Sequence, residues 1–252
     1  MSIRVKNLLF AYKNFTLHVD DLAFESSKVT AIVGPNGAGK TTFLKCLGAV
    51  LPVQKKALFI DGQDIIALKS RERARLICYV PQEHDTTFNY AVSDFVLMGR
   101  AAFISPFALP SKEDGEAAEE ALDFVGLVRY SGRLIGELSS GERRLVLIAR
   151  ALAQKSDILL MDEPTTFLDP RHETEVLTLV RKLAREKKKT ILVTLHGLEM
   201  AVQYSDDMVF MKEGGIVAHG RSTEIFLEPL LESVYDMKMK VVDWDGRKVV
   251  IR

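Results

Sequence analysis

The sequence predicts an α/β protein with a mostly parallel sheet, an N-terminal antiparallel β subdomain and an inserted α-helical subdomain. Three observations lead to this prediction: apolar runs of strand length alternate with helical stretches, a glycine-rich loop joins one such run to a helix, and residues 92–150 show only helical patterns. Strands that alternate with helices usually pair in parallel, and helices then cover both faces of their sheet.

The N-terminal subdomain is predicted from two strands. Ile3–Tyr12 and Phe15–Phe24 alternate apolar and polar residues, are rich in β-branched and aromatic side chains, and are joined by a short polar turn. We expect them to form a hairpin or an edge sheet.

The central sheet begins with Val29–Val33, a tight apolar run that enters the glycine-rich loop. Residues 41–50 follow with helical spacing, so the order is strand, loop, helix. Further buried-strand candidates are 57–60, 76–80, Ile158–Met161, Thr190–Thr194 and 208–211, several of them separated by helical stretches such as 173–187.

The remaining segments complete the predicted organisation. Pro106, Pro110 and Gly115 lie in connections of the helical region, and residues 240–251 alternate around Asp245-Gly246, a strong two-residue hairpin signal. We predict one domain, 1–252, with an α/β core (1–87 and 155–220), a helical subdomain (88–154) and a C-terminal extension with a hairpin (221–252).

Composition excludes several classes of protein. The 252 residues are 47% hydrophobic, enough for a substantial core, and 34 Lys and Arg balance 34 Asp and Glu, so no basic field attracts nucleic acid. No uncharged apolar stretch reaches the roughly 18 to 20 residues of a membrane-spanning helix. The first residues carry no export signal, so we expect a cytosolic protein. Cys46 and Cys78 lie in apolar stretches and are interpreted as core residues.

The strongest motif is GPNGAGKTT, which fits G-x-x-x-x-G-K-[ST] between a predicted strand and a predicted helix. Its glycines let backbone N–H groups surround a phosphate, and the helix dipole favours the same anion. Lys40 adds a charge for the terminal phosphates, and the Thr41 hydroxyl is placed to coordinate Mg²⁺. The motif predicts a P-loop NTPase core that binds a nucleoside triphosphate and Mg²⁺ through Gly34, Pro35, Asn36, Gly37, Ala38, Gly39, Lys40, Thr41 and Thr42.

A second motif, ILLMDEP, is an apolar strand that ends in two carboxylates at the carboxyl edge of the sheet, where open α/β folds bind ligands. We expect Asp162 to hold Mg²⁺, directly or through water. Because side chains alternate along a strand, Glu163 is expected to point to the other side and to act on the attacking water as general base. An exposed acidic turn is the alternative interpretation.

The segment LSSGERR precedes the helical run 145–153 and resembles the LSGGQ signature of ATP-binding-cassette proteins. In that family the signature N–H groups bind the γ-phosphate held by the opposite subunit. Ser139, Ser140, Gly141 and Glu142 occupy the matching positions, with Ser140 in place of the first glycine and Glu142 in place of glutamine. By itself, Ser-Ser-Gly before a helix is also an ordinary N-cap.

The resemblance covers nearly the whole chain in the family's order and implies further site residues. Tyr12 matches the aromatic residue that stacks on adenine, and Gln82 in YVPQ matches the glutamine that contacts Mg²⁺ and water and reports ATP occupancy to the permease. Asp169 in FLDP matches the aspartate that communicates between the two sites. His196 in TLHGLE matches the histidine that contacts the γ-phosphate, with Gly197 where aspartate is commoner.

The other histidines are interpreted as surface or structural residues because they match no motif; they are His18, His84, His172 and His219. The resemblance implies catalysis by Lys40, Gln82, Glu163 and His196 in a head-to-tail homodimer, where each ATP lies between the phosphate loop of one copy and the signature of the other. It also implies integral-membrane permease subunits, indirectly a substrate-binding protein, and a peripheral location on the cytoplasmic face of the cell membrane.

The segment AVSDFVLMGR, residues 103–114 and the tail LLESVYDMKMKVV resemble the ATPases of importers for iron-siderophore, haem, cobalamin or metal-oxyanion substrates. Three alternatives stay open at this point. The chain could belong to another ATP-binding-cassette transporter, to a soluble cassette ATPase that acts on ribosomes or DNA, or to a nucleotide-binding module without turnover. Soluble members usually carry two cassettes or long coiled-coil insertions, and this chain has one cassette with a short insertion.

Overall fold

The computed structural model describes residues 1–82, 89–105 and 107–251, and this part of the chain contains twelve strands and nine α-helices. His84 and Pro106 lie outside the described residues. The strands are β1 (Ile3–Tyr12), β2 (Phe15–Phe24), β3 (Val29–Val33), β4 (Leu58–Ile60), β5 (Gln63–Asp64), β6 (Ile77–Val80), β7 (Ile158–Met161), β8 (Thr190–Thr194), β9 (Asp207–Lys212), β10 (Gly215–Arg221), β11 (Lys240–Trp244) and β12 (Arg247–Ile251). The helices are α1 (Lys40–Leu47), α2 (Ser70–Leu76), α3 (Val92–Leu97), α4 (Lys112–Phe124), α5 (Ser140–Ala153), α6 (Pro170–Glu186), α7 (Leu198–Tyr204), α8 (Ser222–Ile225) and α9 (Glu228–Tyr235).

A six-stranded sheet with the order β10-β9-β3-β8-β7-β6 forms the centre of the fold. All neighbouring pairs are parallel except β9 and β10, which form an antiparallel edge that the sequence did not predict. Every residue of β3, β7 and β8 is buried, as expected for strands covered on both faces. The predicted α/β fold with a mostly parallel sheet is confirmed, and the carboxyl ends of its strands meet at one edge.

A second, antiparallel sheet with the order β2-β1-β4-β5 forms the predicted N-terminal β subdomain. One expectation is wrong here. Residues 57–60 were predicted as a strand among those of the parallel sheet, but β4 pairs antiparallel with β1, with Ile3 opposite Ile60. A short apolar run does not indicate which sheet it joins, because only the long-range pairing partner decides that.

The two sheets and the helices enclose two hydrophobic clusters. Ile32 packs with α1 and the N-terminal sheet, whereas Ala31 and Val33 pack with the helical region on the opposite face. Successive side chains of β3 therefore pack into different clusters. Helix α1 and the loop before it lie on the face shared with the N-terminal sheet.

The helical region forms around α3, α4 and α5, joined by 3₁₀ turns, and Gly115, which was expected in a connection, lies inside α4. A buried ion pair connects its parts: Arg100 Nε donates to Asp114 Oδ1 at 2.9 Å, and Arg100 Nη1 donates to the Ala153 carbonyl at 3.0 Å. Asp114 also accepts from the backbone and the hydroxyl of Ser111, the N-cap of α4. These contacts hold the start of α4 against the end of α5, the helix that begins at the signature segment.

The C-terminal hairpin forms at the predicted place, with Trp244 opposite Arg247. Asp245 and Gly246 both have positive φ (51° and 71°), as a two-residue turn of this kind requires. The hairpin contacts α7, where Val250 N–H donates to Glu199 Oε1 at 3.3 Å. Among the described residues, we find no helix with the length and apolar character needed to span a bilayer.

Candidate functional site

The phosphate-binding motif forms the loop between β3 and α1, at the carboxyl edge of the central sheet. Gly34 has no room for a side chain, because a Cβ there would lie 2.1 Å from the Met211 carbonyl oxygen. Gly39 is the N-cap of α1 with a left-handed φ of 98°. Lys40 Nζ donates to the carbonyls of Gly34 at 2.8 Å and Pro35 at 3.1 Å, and burial lowers the pKa of this amine. The loop thus presents N–H groups and one buried cation.

A cavity of about 320 Å³ lies over this loop. Its described lining residues are Phe15, Asn36, Gly37, Gly39, Lys40, Thr41, Thr42 and Glu163. The structure therefore brings the phosphate loop and the predicted general base to one space. Tyr12 does not line this cavity and is 62% exposed, whereas Phe15, its partner across the hairpin, packs so closely over Gly39 that a Cβ there would lie 2.5 Å from its Cζ. Phe15 was not among the predicted site residues, and its place at the hairpin end was the one signal for it in the sequence.

Asp162 follows β7 and is buried among three hydroxyl groups. Its Oδ1 accepts from Thr41 Oγ1 at 2.9 Å and from Thr194 Oγ1 at 2.8 Å, and its Oδ2 accepts from the Tyr79 hydroxyl at 2.9 Å. Burial, with the charge of Asp162 as a further cause, raises the pKa of Tyr79, so this hydroxyl stays protonated and donates. Two predicted Mg²⁺ ligands, Thr41 and Asp162, are in direct contact, whereas Tyr79 and Thr194 were not predicted.

The carboxylates of Asp162 and Glu163 have different hydrogen-bond partners, but strand alternation, from which the direction of Glu163 was predicted, does not apply. Strand β7 ends at Met161, and Glu163 has a left-handed φ of 46°, so strand alternation does not set its direction. Its N–H donates to Thr194 Oγ1 at 2.7 Å, which fixes this turn. A non-glycine residue in this region of φ is uncommon and is held by its surroundings.

The carboxylate of Glu163 meets two of the other predicted catalytic residues. Its Oε1 lies 2.6 Å from His196 Nε2, and its Oε2 accepts from Gln82 Nε2 at 2.6 Å and from Thr166 Oγ1 at 3.1 Å. Gln82 follows β6 and His196 follows β8, so the strands on either side of β7 each deliver one partner. The amide of Gln82 donates to Glu163, and we find no hydrogen bond from it to Asp162 among those of the described residues.

The signature segment begins α5. Ser139 is its N-cap, with a reciprocal capping box: the Ser139 N–H donates to Glu142 Oε2 at 2.8 Å, and the Glu142 N–H donates to Ser139 Oγ at 3.3 Å. The hydrogen bond from the Ser139 backbone, the largest cause, lowers the pKa of Glu142. None of the four predicted signature residues lines the cavity over the phosphate loop. One chain therefore does not bring these two predicted phosphate-binding segments together.

Asp169 is the N-cap of α6, where it accepts from the N–H groups of Arg171 and His172, both at 3.0 Å. Its Oδ2 lies 2.6 Å from His172 Nδ1, and the backbone hydrogen bond from His172 lowers the pKa of the carboxyl group. The His172 ring packs on Gly141, where a Cβ would come within 2.5 Å of Cδ2. His172 thus links the aspartate to the signature segment through its packing.

The chemistry of this edge is that of a phosphate and cation site. Loop N–H groups and Lys40 suit a triphosphate, and the oxygens of Thr41 and Asp162 are the donors that Mg²⁺ prefers. Among the described residues, no three His, Cys, Asp or Glu side chains cluster as metal ligands. Mg²⁺ usually keeps waters and uses one or two protein ligands together with substrate phosphates.

Known proteins are similar to this chain both in sequence and in structure. A family model described as "ABC transporter" matches residues 17–166. The "Probable iron chelatin transport ATP-binding protein" of Helicobacter pylori is 34% identical over an alignment of 254 positions, which covers 100% of this chain and 99% of the relative.

Two solved structures are similar to this chain. The first, an inward-facing conformation of a transporter of metal-chelate type, has a TM-score of 0.85 and 28% identity over 99% of this chain and 95% of its own. The second, the dimeric ATP-binding cassette MJ0796 in a post-hydrolysis state bound to ADP and phosphate, has a TM-score of 0.73 and 25% identity over 87% of this chain and 98% of its own. The first likeness extends from the N-terminal sheet to the C-terminal hairpin.

Proposed function

This chain belongs to the ATP-binding proteins of the ABC transporter family, and on that premise we propose that it powers an importer of metal chelates, an iron chelate foremost among them. As a member of the family it binds ATP and couples ATP hydrolysis to transport. The observation that carries the proposed cargo is the full-length similarity to an iron chelatin transport protein and to a transporter of metal-chelate type. The ATP site itself does not contact the cargo, so its residues carry no information about it.

The proposed mechanism assigns positioning and charge stabilisation to the phosphate loop. Loop N–H groups and Lys40 would hold the triphosphate, and Lys40 would exchange the carbonyls of Gly34 and Pro35 for phosphate oxygens. Thr41 and Asp162 would hold Mg²⁺, with Gln82 near it. Bound Mg²⁺ would neutralise charge on the β- and γ-phosphate oxygens.

Proton transfer in this mechanism belongs to Glu163. Its carboxylate lines the cavity over the phosphate loop and would accept a proton from the attacking water. His196 would help to orient the γ-phosphate and the water. His196 and Gln82 each hold one oxygen of Glu163 at 2.6 Å, and the second lone pair of Oε1 can receive that proton with both contacts in place.

Members of this family work as dimers with membrane permease subunits. We propose a head-to-tail homodimer in which Ser139, Ser140 and Gly141 of one copy close over the ATP of the other. The absence of these residues from the described lining of the phosphate-loop cavity supports this arrangement. Ser140 keeps the backbone N–H that a glycine would offer, and Asp169 would contact the other copy. Hydrolysis would remove the γ-phosphate contacts and reopen the pair.

We further propose that the complex lies on the cytoplasmic face of the membrane, with Mg²⁺ as cofactor, and receives its cargo from a substrate-binding protein. The test is to purify the chain with its membrane partners, identify them by mass spectrometry and reconstitute the complex in vesicles. ATP-driven uptake of a ferric hydroxamate chelate, with none by the Glu163→Gln complex, is the expected result. Uptake of cobalamin or molybdate in its place would overturn the iron-chelate assignment, and export would overturn the importer.

A further inference from the structure

Asp162 is held from both sides of its strand. Strand β7 lies between β6 and β8 in the central sheet. Tyr79 from β6 donates to Asp162 Oδ2 at 2.9 Å, and Thr194 from β8 donates to Asp162 Oδ1 at 2.8 Å. Each neighbouring strand therefore supplies one hydroxyl group, and each hydroxyl group satisfies a different carboxylate oxygen.

The register of the sheet explains why these three side chains meet. Val193 pairs with Met161, so the next residues, Thr194 and Asp162, lie side by side at the ends of their strands. Tyr79 pairs with Leu160, which is two residues before Asp162 and hence on the same face of the sheet. The length of the tyrosine side chain spans this offset. That face is the one covered by α1, whose first turn carries Thr41.

The third hydroxyl group on Asp162 has a different role. Thr41 Oγ1 shares Oδ1 with Thr194, so the two proposed Mg²⁺ ligands are bound to each other. The Thr41 hydroxyl donates its proton to Asp162 and keeps its lone pairs for a cation, so the binding of a cation need not separate the two residues. The contacts of Tyr79 and Thr194 do not lie between the two ligands, and they would persist when the cation is bound.

We propose that Tyr79 and Thr194 are positioning residues of the Mg²⁺ site, which hold the Asp162 carboxylate in place for the cation. This inference rests on the proposed role of Asp162 in binding Mg²⁺. Outer hydrogen bonds of this kind orient metal-binding carboxylates, and their loss typically lowers metal affinity or activity 10- to 100-fold.

Thr194 has a second contact that Tyr79 lacks. Its Oγ1 accepts the N–H of Glu163 at 2.7 Å and so connects the proposed metal ligand to the proposed base through one fully buried oxygen. Loss of the Thr194 hydroxyl group should disturb both residues. Loss of the Tyr79 hydroxyl group should disturb only the carboxylate of Asp162.

The test compares Tyr79→Phe and Thr194→Val, which keep side-chain shape and remove the hydroxyl group, with Thr194→Ser, which retains it. Tyr204→Phe at the end of α7 is the matched tyrosine control. The full chain is titrated with a fluorescent ATP analogue in EDTA and then at increasing Mg²⁺. We expect the Mg²⁺ concentration for half-maximal enhancement of nucleotide binding to rise about tenfold in Tyr79→Phe and Thr194→Val. Binding in EDTA should stay within about twofold of the wild type.

The inference would be overturned if the Mg²⁺ dependence of nucleotide binding were unchanged in Tyr79→Phe and Thr194→Val. It would also be overturned if these variants lost nucleotide affinity equally with and without the metal. If Thr194→Ser raised the required Mg²⁺ concentration as much as Thr194→Val, the hydroxyl group would not be the cause. Should Thr194→Val fail to fold, Tyr79→Phe alone decides. The proposed function fails separately if the wild-type chain binds no nucleotide in either condition.

Discussion

The imidazole Nε2 of His196 lies 2.6 Å from Oε1 of Glu163, and Gln82 holds the other oxygen of the same carboxylate at the same distance. The two partners follow different strands, β8 and β6. The proposed base is thus held by the two segments that the resemblance connects with the γ-phosphate and with the permease. A change in either segment alters the position of Glu163 directly.

The Glu163→Gln variant should bind ATP and lose most turnover. The amide keeps the size of the side chain but accepts no proton, and general-base catalysis typically contributes 10²- to 10⁴-fold. We expect phosphate release to fall at least about 100-fold, together with an ATP-dependent dimer that persists in light scattering. Glu119→Gln on the exposed face of α4 is the matched control. Near-normal steady-state hydrolysis by Glu163→Gln would refute the proposed role.

The His196→Ala variant should lower kcat more than it changes ATP affinity. Removal of one positioned donor from a reacting group costs about 10²- to 10³-fold in turnover. Steady-state kinetics and nucleotide titration on the same sample separate the two effects. His219→Ala, an exposed histidine of β10, should leave both unchanged. A tenfold loss of affinity with normal kcat would assign His196 to binding.

The Lys40→Ala variant should impair nucleotide binding itself. Lys40 is a buried cation whose partners in this structure are neutral carbonyls, so the triphosphate is its natural counter-charge. Titration with a labelled ATP analogue should show at least a tenfold weaker affinity. Lys45→Ala, in the last turn of the same helix, should bind normally. Equal affinity in both variants would exclude Lys40 from phosphate binding.

The Gly141→Ala variant should block ATP-driven dimerisation and spare nucleotide binding by the single chain. Its new Cβ would lie 2.5 Å from Cδ2 of His172, so either the His172 ring, which Asp169 holds, or the start of α5 must shift. Gly115→Ala on α4 has open space and is the control. Combining Gly141→Ala with His172→Ala removes the clash. In a Glu163→Gln background, in which the ATP-bound dimer should persist, this combination should restore part of the dimer in size-exclusion chromatography. A normal dimer in the Gly141→Ala background would show that α5 tolerates the shift.

The Asp114→Asn variant should be less stable than the wild type by about 3 kcal/mol, because it leaves the buried Arg100 without its counter-charge. Hydrogen bonds from the Ser111 backbone first, and from Arg100 next, lower the pKa of Asp114. Its stabilisation is therefore complete above the ordinary aspartate pKa of about 4 and is lost as the pH falls through the lower folded value.

Urea unfolding of both proteins across this pH range measures the effect. The difference in free energy of unfolding should shrink on acidification. A difference that stays constant down to pH values where the folded carboxyl group is protonated would show that the ion pair contributes nothing to it.

Local sequence predicted the elements whose chemistry and geometry are encoded by adjacent residues. The phosphate loop has its glycines, lysine and threonine within nine residues, and the C-terminal hairpin has its turn in Asp245-Gly246. The direction of Glu163 was inferred from strand alternation, but it depends on a left-handed φ that Thr194 stabilises from another strand. The sheet of β4 was also assigned wrongly, since only its pairing with β1 decides it.

The sequence by itself determined the α/β fold class, the phosphate loop and the order of motifs, because short-range spacing and periodicity carry them. Only the tertiary structure decided which side chains surround each carboxylate at the edge of the sheet. Tyr79, Asp162 and Thr194 are far apart along the chain, and the parallel pairing of β6, β7 and β8 places them within hydrogen-bonding distance. Such contacts depend on strand register, and strands buried on both faces, such as β7 and β8, lack the apolar–polar alternation that would specify it.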